Sequence, residues 1–564
     1  MESKRLALAF GLSAALILVW LILFLQAPPP KPAPGRPPTA VAGGAGTTAA
    51  PAAAAAAAAA GKTPTPEAVA APPAGPPVAG TEGKEIVVAS RLYTARLSNR
   101  GGDLVSFVLT SYKDATGKPL DLVRHVAPFP GRTLGYDRAD SFLTEAAGAL
   151  HQVEHESTGA ETTVRFHYRD GAGDGIVRTY TFRQSYVVGL RVEREGPRKA
   201  QSVAVVLGPG LGNPSPEELK NNFTKPGSTV WITAAASADR KAKDGLKEVV
   251  ALGKGLAAAG LEDNYFLTVF LPSATAEISL RPVALGGSEG KAGEPESEVI
   301  AAAPGTLESE LFLGPKKLDV LEKLRPGLDK TIDYGMFAFI VKPFLWALQA
   351  INRNVGNWGV SIIIITILIK LALYPLTHKQ LVSAKRMSML QPKIDQINAK
   401  YAPKIKTDPE ARLKKNEEVM AVFSAEGINP AAGCLPLLPQ LPILWAFYSL
   451  LAHSIELRHA PFALWLTDLS VKDPYYITPI VMTITMWWQQ QMTPPQGDPA
   501  MRRMMAIMPW FMGFMFKDTP AGLVLYWLVQ NILTIMQQML LNRFTDLGPK
   551  SMKKVDDKDE KKKR

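Results

Sequence analysis

The chain has a single cysteine, Cys434, in 564 residues. One thiol cannot close an intrachain disulfide, so no covalent staple holds any domain of this chain. The seven histidines are scattered. None sits with cysteine at a metal-ligand spacing, and His151 and His155 fall in an ordinary strand-and-loop pattern. There is no Walker A loop, no G-x-S-x-G elbow and no H-E-x-x-H helix motif. These absences leave nucleotide hydrolysis, serine-type acyl transfer and zinc proteolysis without their usual parts. No pair of carboxylates stands out as an acid and a base, and no cofactor is called for.

What the chain has in abundance is apolar length and unevenly placed positive charge. The net charge is +12. The basic residues gather between apolar segments and at the C-terminus. In a membrane protein, that pattern sets topology and attracts anionic partners before it suggests DNA.

Residues 6–25 form an unbroken apolar run after Lys4 and Arg5. A secretory h-region is shorter and ends at a small-residue cleavage site. Residues 1–26 therefore read as an uncleaved transmembrane anchor, with a cleaved signal peptide as the alternative. Residues 27–83 are rich in Pro, Ala and Gly and cannot bury a core, so they read as a disordered tether. From 84 to 332, short β-rich runs such as EIVVASRLYTARLS, ETTVRFHYRD and YFLTVFL alternate with turn residues. This is the pattern of an antiparallel all-β sandwich. A short closing helix is expected at 316–324.

Residues 333–355 carry aromatic and aliphatic side chains at helical spacing, interrupted by Lys342, Pro343 and Arg353. They suit an amphipathic helix lying in the membrane interface. Residues 356–377 enter the membrane as a second span. Residues 378–427 read as a hairpin of two antiparallel helices outside it; 378–426 hold ten Lys/Arg against six Asp/Glu. Apolar segments at 428–451, 475–492, 504–516 and 521–543 complete six spans, followed by a basic tail at 544–564. The N-terminus, the hairpin, the loop with Arg502 and Arg503 and the tail then share the cytoplasmic side. The β domain, residues 452–474 and the turn at 517–520 lie opposite. The third of these segments, 504–516, would span only about 20 Å as a helix, short of a ~30 Å hydrocarbon core. Such a mismatch thins the bilayer locally.

The second span contains a lysine, Lys370, about 10 Å from its cytoplasmic end at 1.5 Å per residue. A charge near a bilayer centre costs about 2.5–3.5 kcal/mol or more. At 100° per residue, Gly356, Gly359, Ile363, Thr366, Lys370, Tyr374 and Thr377 share one side of this helix. A stripe of small and polar groups faces protein or a wet cavity rather than lipid. Snorkelling of Lys370 to the surface is the plainer alternative. Gln440, and Gln530, Thr534 and Gln537 in the last span, are candidates to line the same cavity. Eleven of 17 methionines fall between Met482 and Met539. Flexible methionines suit a surface that accepts varied apolar partners, and they suit ordinary packing equally well.

NWGVSIIIITILIKLALYPLT, MLQPKIDQINAKY, INPAAGCLPLLPQLPILWAFYSLL, ELRHAPFALWLTDLSVKDPYYITPIVM and GLVLYWLVQNILTIMQQ, in that order, resemble the YidC family of membrane-protein insertases. The anchor and the large β domain resemble its Gram-negative branch. The resemblance implies a five-helix core around a groove that is closed to the periplasm and open to the cytoplasm and lipid. It implies a protein of the bacterial inner membrane that inserts and helps fold membrane proteins, alone or beside the Sec translocon. The family's groove cation falls on Lys370 and its neighbouring threonine on Thr366. That cation is commonly arginine, so the lysine keeps the charge without the bidentate fork. An aromatic position of the last span, often tyrosine, is Trp527 here, beside Tyr526. The groove set is then Lys370, Thr366, Tyr374, Gln440, Tyr526, Trp527 and Gln530. Expected partners are nascent membrane proteins, the Sec translocon, the ribosome, targeting-particle components and anionic lipids. Two competing readings come from other classes. A secondary transporter of a small anion would use Lys370 as counter-ion but would show matched broken helices in inverted repeats. A sugar-binding or sugar-modifying envelope protein would need a carboxylate pair in a β-domain cleft.

Overall fold

A computed structural model describes residues 76–114, 116–125, 131–138, 140–213, 227–285, 294–403, 408–425, 437–492 and 499–544. The chain divides into two units, 1–71 and 72–564. The first unit, and with it the expected anchor, lies outside the described residues. So do most of the tether, the tail beyond Phe544 and the first part of the 428–451 segment.

The β-rich region folds as expected into stacked antiparallel sheets. A nine-stranded sheet runs in the order Ala238–Ala242, Ser228–Ile232, Ala258–Glu262, Phe266–Pro272, Thr306–Pro315, Val187–Glu195, Gly175–Arg183, Glu161–Arg169, Gln152–Ser157. A five-stranded sheet includes Ser202–Leu207, Glu277–Leu285 and Glu294–Pro304, and a four-stranded sheet begins at Glu85–Ala89. Alternation decides the faces: Val188, Leu190 and Val192 point into the core, while Arg191 between them points out. Phe266–Pro272 is buried along its whole length because it sits mid-sheet with layers on both sides. One continuous core, including Tyr93, Phe107, Phe166, Phe270 and Leu311, joins the sheets.

Eleven helices occur among the described residues. Two belong to the β region: α1 (Ser141–Gly148) and the closing helix α2 (Leu318–Leu324), which buries Leu321. The remainder are α3 (Ala338–Val355), α4 (Trp358–Ala372), α5 (Tyr374–Met389), α6 (Gln391–Tyr401), α7 (Pro409–Ala425), α8 (Leu437–His453), α9 (Ile477–Met492), α10 (Pro499–Phe516) and α11 (Ala521–Phe544).

Three differences from the sequence reading have local causes. The expected single span at 356–377 is broken at Leu373, where α4 and α5 meet at a 64° bend. Pro375 cannot donate the next i→i−4 bond, so the helix ends and restarts. The segment expected at 504–516 is an 18-residue helix starting at Pro499, about 27 Å long, although its first turn carries Arg502 and Arg503. By length and composition, two described stretches suffice to cross a bilayer, Gly335–Val355 and Ala521–Leu541, or three if the bent pair is one span. The first of these includes the helix expected to lie in the interface.

The helices and the β region are tied by named contacts. Ile455 belongs to the β-domain core. The Arg458 guanidinium donates to the Lys113 carbonyl at 2.7 Å and lies over Tyr265 and Phe266. Lys342 on α3 pairs with Asp329 at 3.0 Å, and Ser449 on α8 donates to the Tyr334 carbonyl. On the hairpin, Met387, Leu390 and Ile394 pack against Phe423 of α7, and Asp395 accepts a bond from Arg502.

Candidate functional site

The helix α11 is the hub of the helical region. It packs on α4, α8 and α9, and each contact includes a polar rung inside an otherwise apolar helix pair. Towards α4, the Lys370 Nζ donates to Thr534 Oγ1 at 2.8 Å. Towards the start of α5, Gln537 Nε2 donates to Thr377 Oγ1 at 3.1 Å. Towards α9, Asn531 Nδ2 donates to Thr485 Oγ1 at 3.3 Å. Towards α8, Gln440 Nε2 donates to Tyr526 Oη at 2.9 Å, and Gln530 Nε2 reaches the same oxygen at 3.3 Å.

The threonine rungs share one construction. Each hydroxyl gives its only proton to a carbonyl of its own helix: Thr534 to Gln530, Thr485 to Met482, Thr377 to Leu373 or Tyr374. The oxygen then has only lone pairs to offer across the interface. Lysine and the carboxamide NH2 are donors, so the rungs match without any freedom in the proton's position.

Four of the seven candidates are thus gathered by the structure. Lys370, Gln440, Tyr526 and Gln530 line one side of the α11 contact, with Tyr526 fully buried and stacked on Phe447 at 4.3 Å. The other three are placed elsewhere. Thr366 is buried one turn above Lys370, and its hydroxyl is satisfied by the Ile362 carbonyl of its own helix. Tyr374 lies beyond the break, half exposed and stacked on His378. Trp527 packs on Phe516 of α10, because a residue adjacent to Tyr526 is turned 100° around the helix. Asn531 and Thr485 were not anticipated, although an asparagine inside the apolar run of 521–543 was a legible signal.

The electrostatics at Lys370 are unusual. Among the described residues, no carboxylate lies within 4.0 Å of its ammonium, and Thr534 is its single side-chain partner. An ammonium has three N–H donors, so two are uncommitted among the described residues. One turn from Thr534, the buried Gln530 Oε1 has no partner among the described residues. A buried acceptor left unpaired costs about 1–3 kcal/mol, so this is a place that water or a polar visitor stabilises. The apolar surface of α9 and α10 is extensive: Ile484, Trp487 and Trp488 on α9 and Met504, Ile507, Met508, Phe511 and Phe514 on α10 are all exposed. Among the described residues, no cluster of three His, Cys, Asp or Glu is arranged to hold a metal ion.

Comparison with known proteins covers nearly the whole described chain. The family model described as "60Kd inner membrane protein" matches residues 350–548, and the model described as "YidC periplasmic domain" matches 85–347. A relative from Geobacter metallireducens, "Membrane protein insertase YidC", is 35% identical over 84% of this chain and 89% of its own. One of the same name from Citrifermentans bemidjiense is 36% identical over 82% and 86%. A solved structure, "Active YidC insertase crystal structure with the first transmembrane domain resolved", covers 83% of this chain and 94% of its own, at 20% identity and a TM-score of 0.37.

Proposed function

The chain belongs to the YidC family of membrane-protein insertases, and we propose that it passes polar substrate segments through a hydrophilic groove built around Lys370. It is an inner-membrane insertase and not an enzyme, its β-sandwich is the periplasmic domain, and it acts on nascent membrane proteins. The groove reading goes further and takes in Lys370, Thr366, Tyr374, Gln440, Tyr526, Trp527 and Gln530. The observation that carries it is the Lys370 ammonium, held within the helical region by one neutral hydroxyl with no carboxylate in reach among the described residues. A cation kept there for structure alone would be paired, since an unpaired charge is the costly arrangement.

The polar tail of an incoming segment enters from the cytoplasmic side. A carboxylate in that tail meets the free N–H groups of Lys370, an attraction of about 4 kcal/mol at 4 Å for an effective dielectric of 20. The groove shortens the apolar distance the tail must cross, and the following hydrophobic segment leaves along the exposed methionine and aromatic side chains of α9 and α10 into lipid. No bond is made or broken. In this reading the chain spans the membrane six times with both termini in the cytoplasm, α3 lies at the outer interface, and the hairpin and basic tail meet the ribosome, targeting-particle components or anionic lipid. Cooperation with the Sec translocon belongs to the same proposal.

The test compares Lys370→Ala and Lys370→Glu in proteoliposomes, using substrates with acidic and with neutral tails. The acidic-tail substrate is expected to insert more slowly with alanine and most slowly with glutamate, which repels it. Normal insertion by both variants overturns the groove-charge reading.

A further inference from the structure

We infer that Thr534 is a positioning residue that parks the Lys370 ammonium in a fixed, substrate-accepting orientation; the inference rests on the groove-charge reading above. Three observations converge. The 2.8 Å bond from Lys370 is its single side-chain bond among the described residues. The Thr534 proton is committed to the Gln530 carbonyl at 2.7 Å, so its oxygen faces the ammonium as an acceptor and cannot turn away without giving up that bond. The lysine stem is long and flexible, and without an anchor its head would wander towards the aqueous surface.

A hydroxyl is suited to this task where a carboxylate is not. It holds the ammonium by one donor and leaves two for an incoming carboxylate. It also adds no charge, so the field of Lys370 is not cancelled. Lysine, a point charge on a flexible stem, needs such an anchor more than a guanidinium whose planar fork is already organised.

The experiment uses the full chain in proteoliposomes. Thr534→Val keeps the shape and removes the acceptor; Thr534→Ala removes it with less bulk; Thr534→Ser restores it. Each is measured on acidic-tail and neutral-tail substrates, per folded molecule, beside Lys370→Ala and the Lys370→Ala/Thr534→Val pair. We expect Val and Ala to slow the acidic-tail substrate by about threefold, the scale of one ordinary hydrogen bond. The neutral-tail substrate should be unchanged, Ser should restore the rate, and the double variant should be no slower than Lys370→Ala. If Val and Ala match the wild type while Lys370→Ala is slow, the positioning role is wrong and the Lys370 reading stands. If they slow both substrates equally, Thr534 is structural and the inference is overturned. If Lys370→Ala is itself unimpaired, the underlying reading fails and takes this inference with it.

Discussion

Two inward-facing cations of the molecule, Arg178 and Lys370, are treated in opposite ways. Arg178, in the β domain, is 0% exposed and caged. It donates to the Gly102 and Leu134 carbonyls at 3.0 and 2.8 Å, lies 3.4 Å from an Asp103 oxygen, and stacks over the Tyr136 ring at 3.7 Å. Lys370, in the helical region, has one hydroxyl among the described residues. Burial pushes the Asp103 carboxyl up against the pull of Arg178, so the pair is held by its geometry rather than by solvent. Both cations keep N–H donors uncommitted, since Arg178 Nε and Nη2 find no acceptor among the described residues. What separates them is the carboxylate: Arg178 faces Asp103, and Lys370 has none within 4.0 Å among the described residues.

The largest effect should come from opening the cage. Arg178→Met leaves the Leu134 carbonyl and the buried Asp103 carboxylate without this donor, while Tyr180 still donates to the Gly102 carbonyl and Arg132 lies 3.8 Å from Asp103. Breaking one side of a buried pair costs about 3–5 kcal/mol. We expect a clearly lowered Tm for the β domain in the full-length protein, with insertion at moderate temperature preserved. A variant as stable as the wild type would mean that the cage is not structural, and the contrast with Lys370 would lose its basis.

Each cation was legible in the sequence as an anomaly, but its partners were not. Arg178 sits at an inward position of Gly175–Arg183, between Ile176 and Tyr180, so alternation alone marks it as buried. Its partners come from residues 75 and 44 positions away, set by sheet pairing that no local pattern encodes. The antiparallel character and the burial of the 266–272 run were readable because alternation and continuous apolar runs are local properties. The order of nine strands was not, since Val187–Glu195 pairs with Thr306–Pro315 across more than a hundred residues. In the helices, phase placed Lys370 and Thr366 on one face. It could not reveal that Thr366 would satisfy itself on Ile362 while Thr534 would reach across. The break at Leu373 was readable from Pro375, and it removes Tyr374 from the stripe.

A smaller effect sharpens the contrast through pH. His151 is buried beside Arg178, between the Tyr136 and Tyr168 rings, and its Nε2 bonds the Ala146 carbonyl. Burial first, with Arg178 adding to it, lowers its pKa to about 4. The unfolded chain would bind this proton near pH 6.5. The neutral ring's contribution is therefore fully present above about pH 6.5, is lost as pH falls towards 4, and is gone below that. Two and a half units correspond to an upper bound of about 3 kcal/mol. We expect the Tm of the β domain to fall across this window in the wild type, and His151→Gln to flatten the fall. An equally steep decline in the variant would place the pH dependence elsewhere.

The smallest effect tests the comparison directly, by converting the open cation into a caged one. Thr534→Asp sets a carboxylate where the hydroxyl accepts from Lys370 at 2.8 Å. The pair should form, because each charge relieves the other's desolvation. The Tm of the helical region should then stay level or rise. Insertion of an acidic-tail substrate should fall by about tenfold, equivalent to about 1.4 kcal/mol, because the free donors are occupied and the local field is cancelled. A neutral-tail substrate should be spared. Retention of full activity on the acidic tail would show that what matters at this position is polarity rather than an unpaired charge. Lys370 would then act by keeping the groove wet, a role that a paired lysine fills as well as a free one.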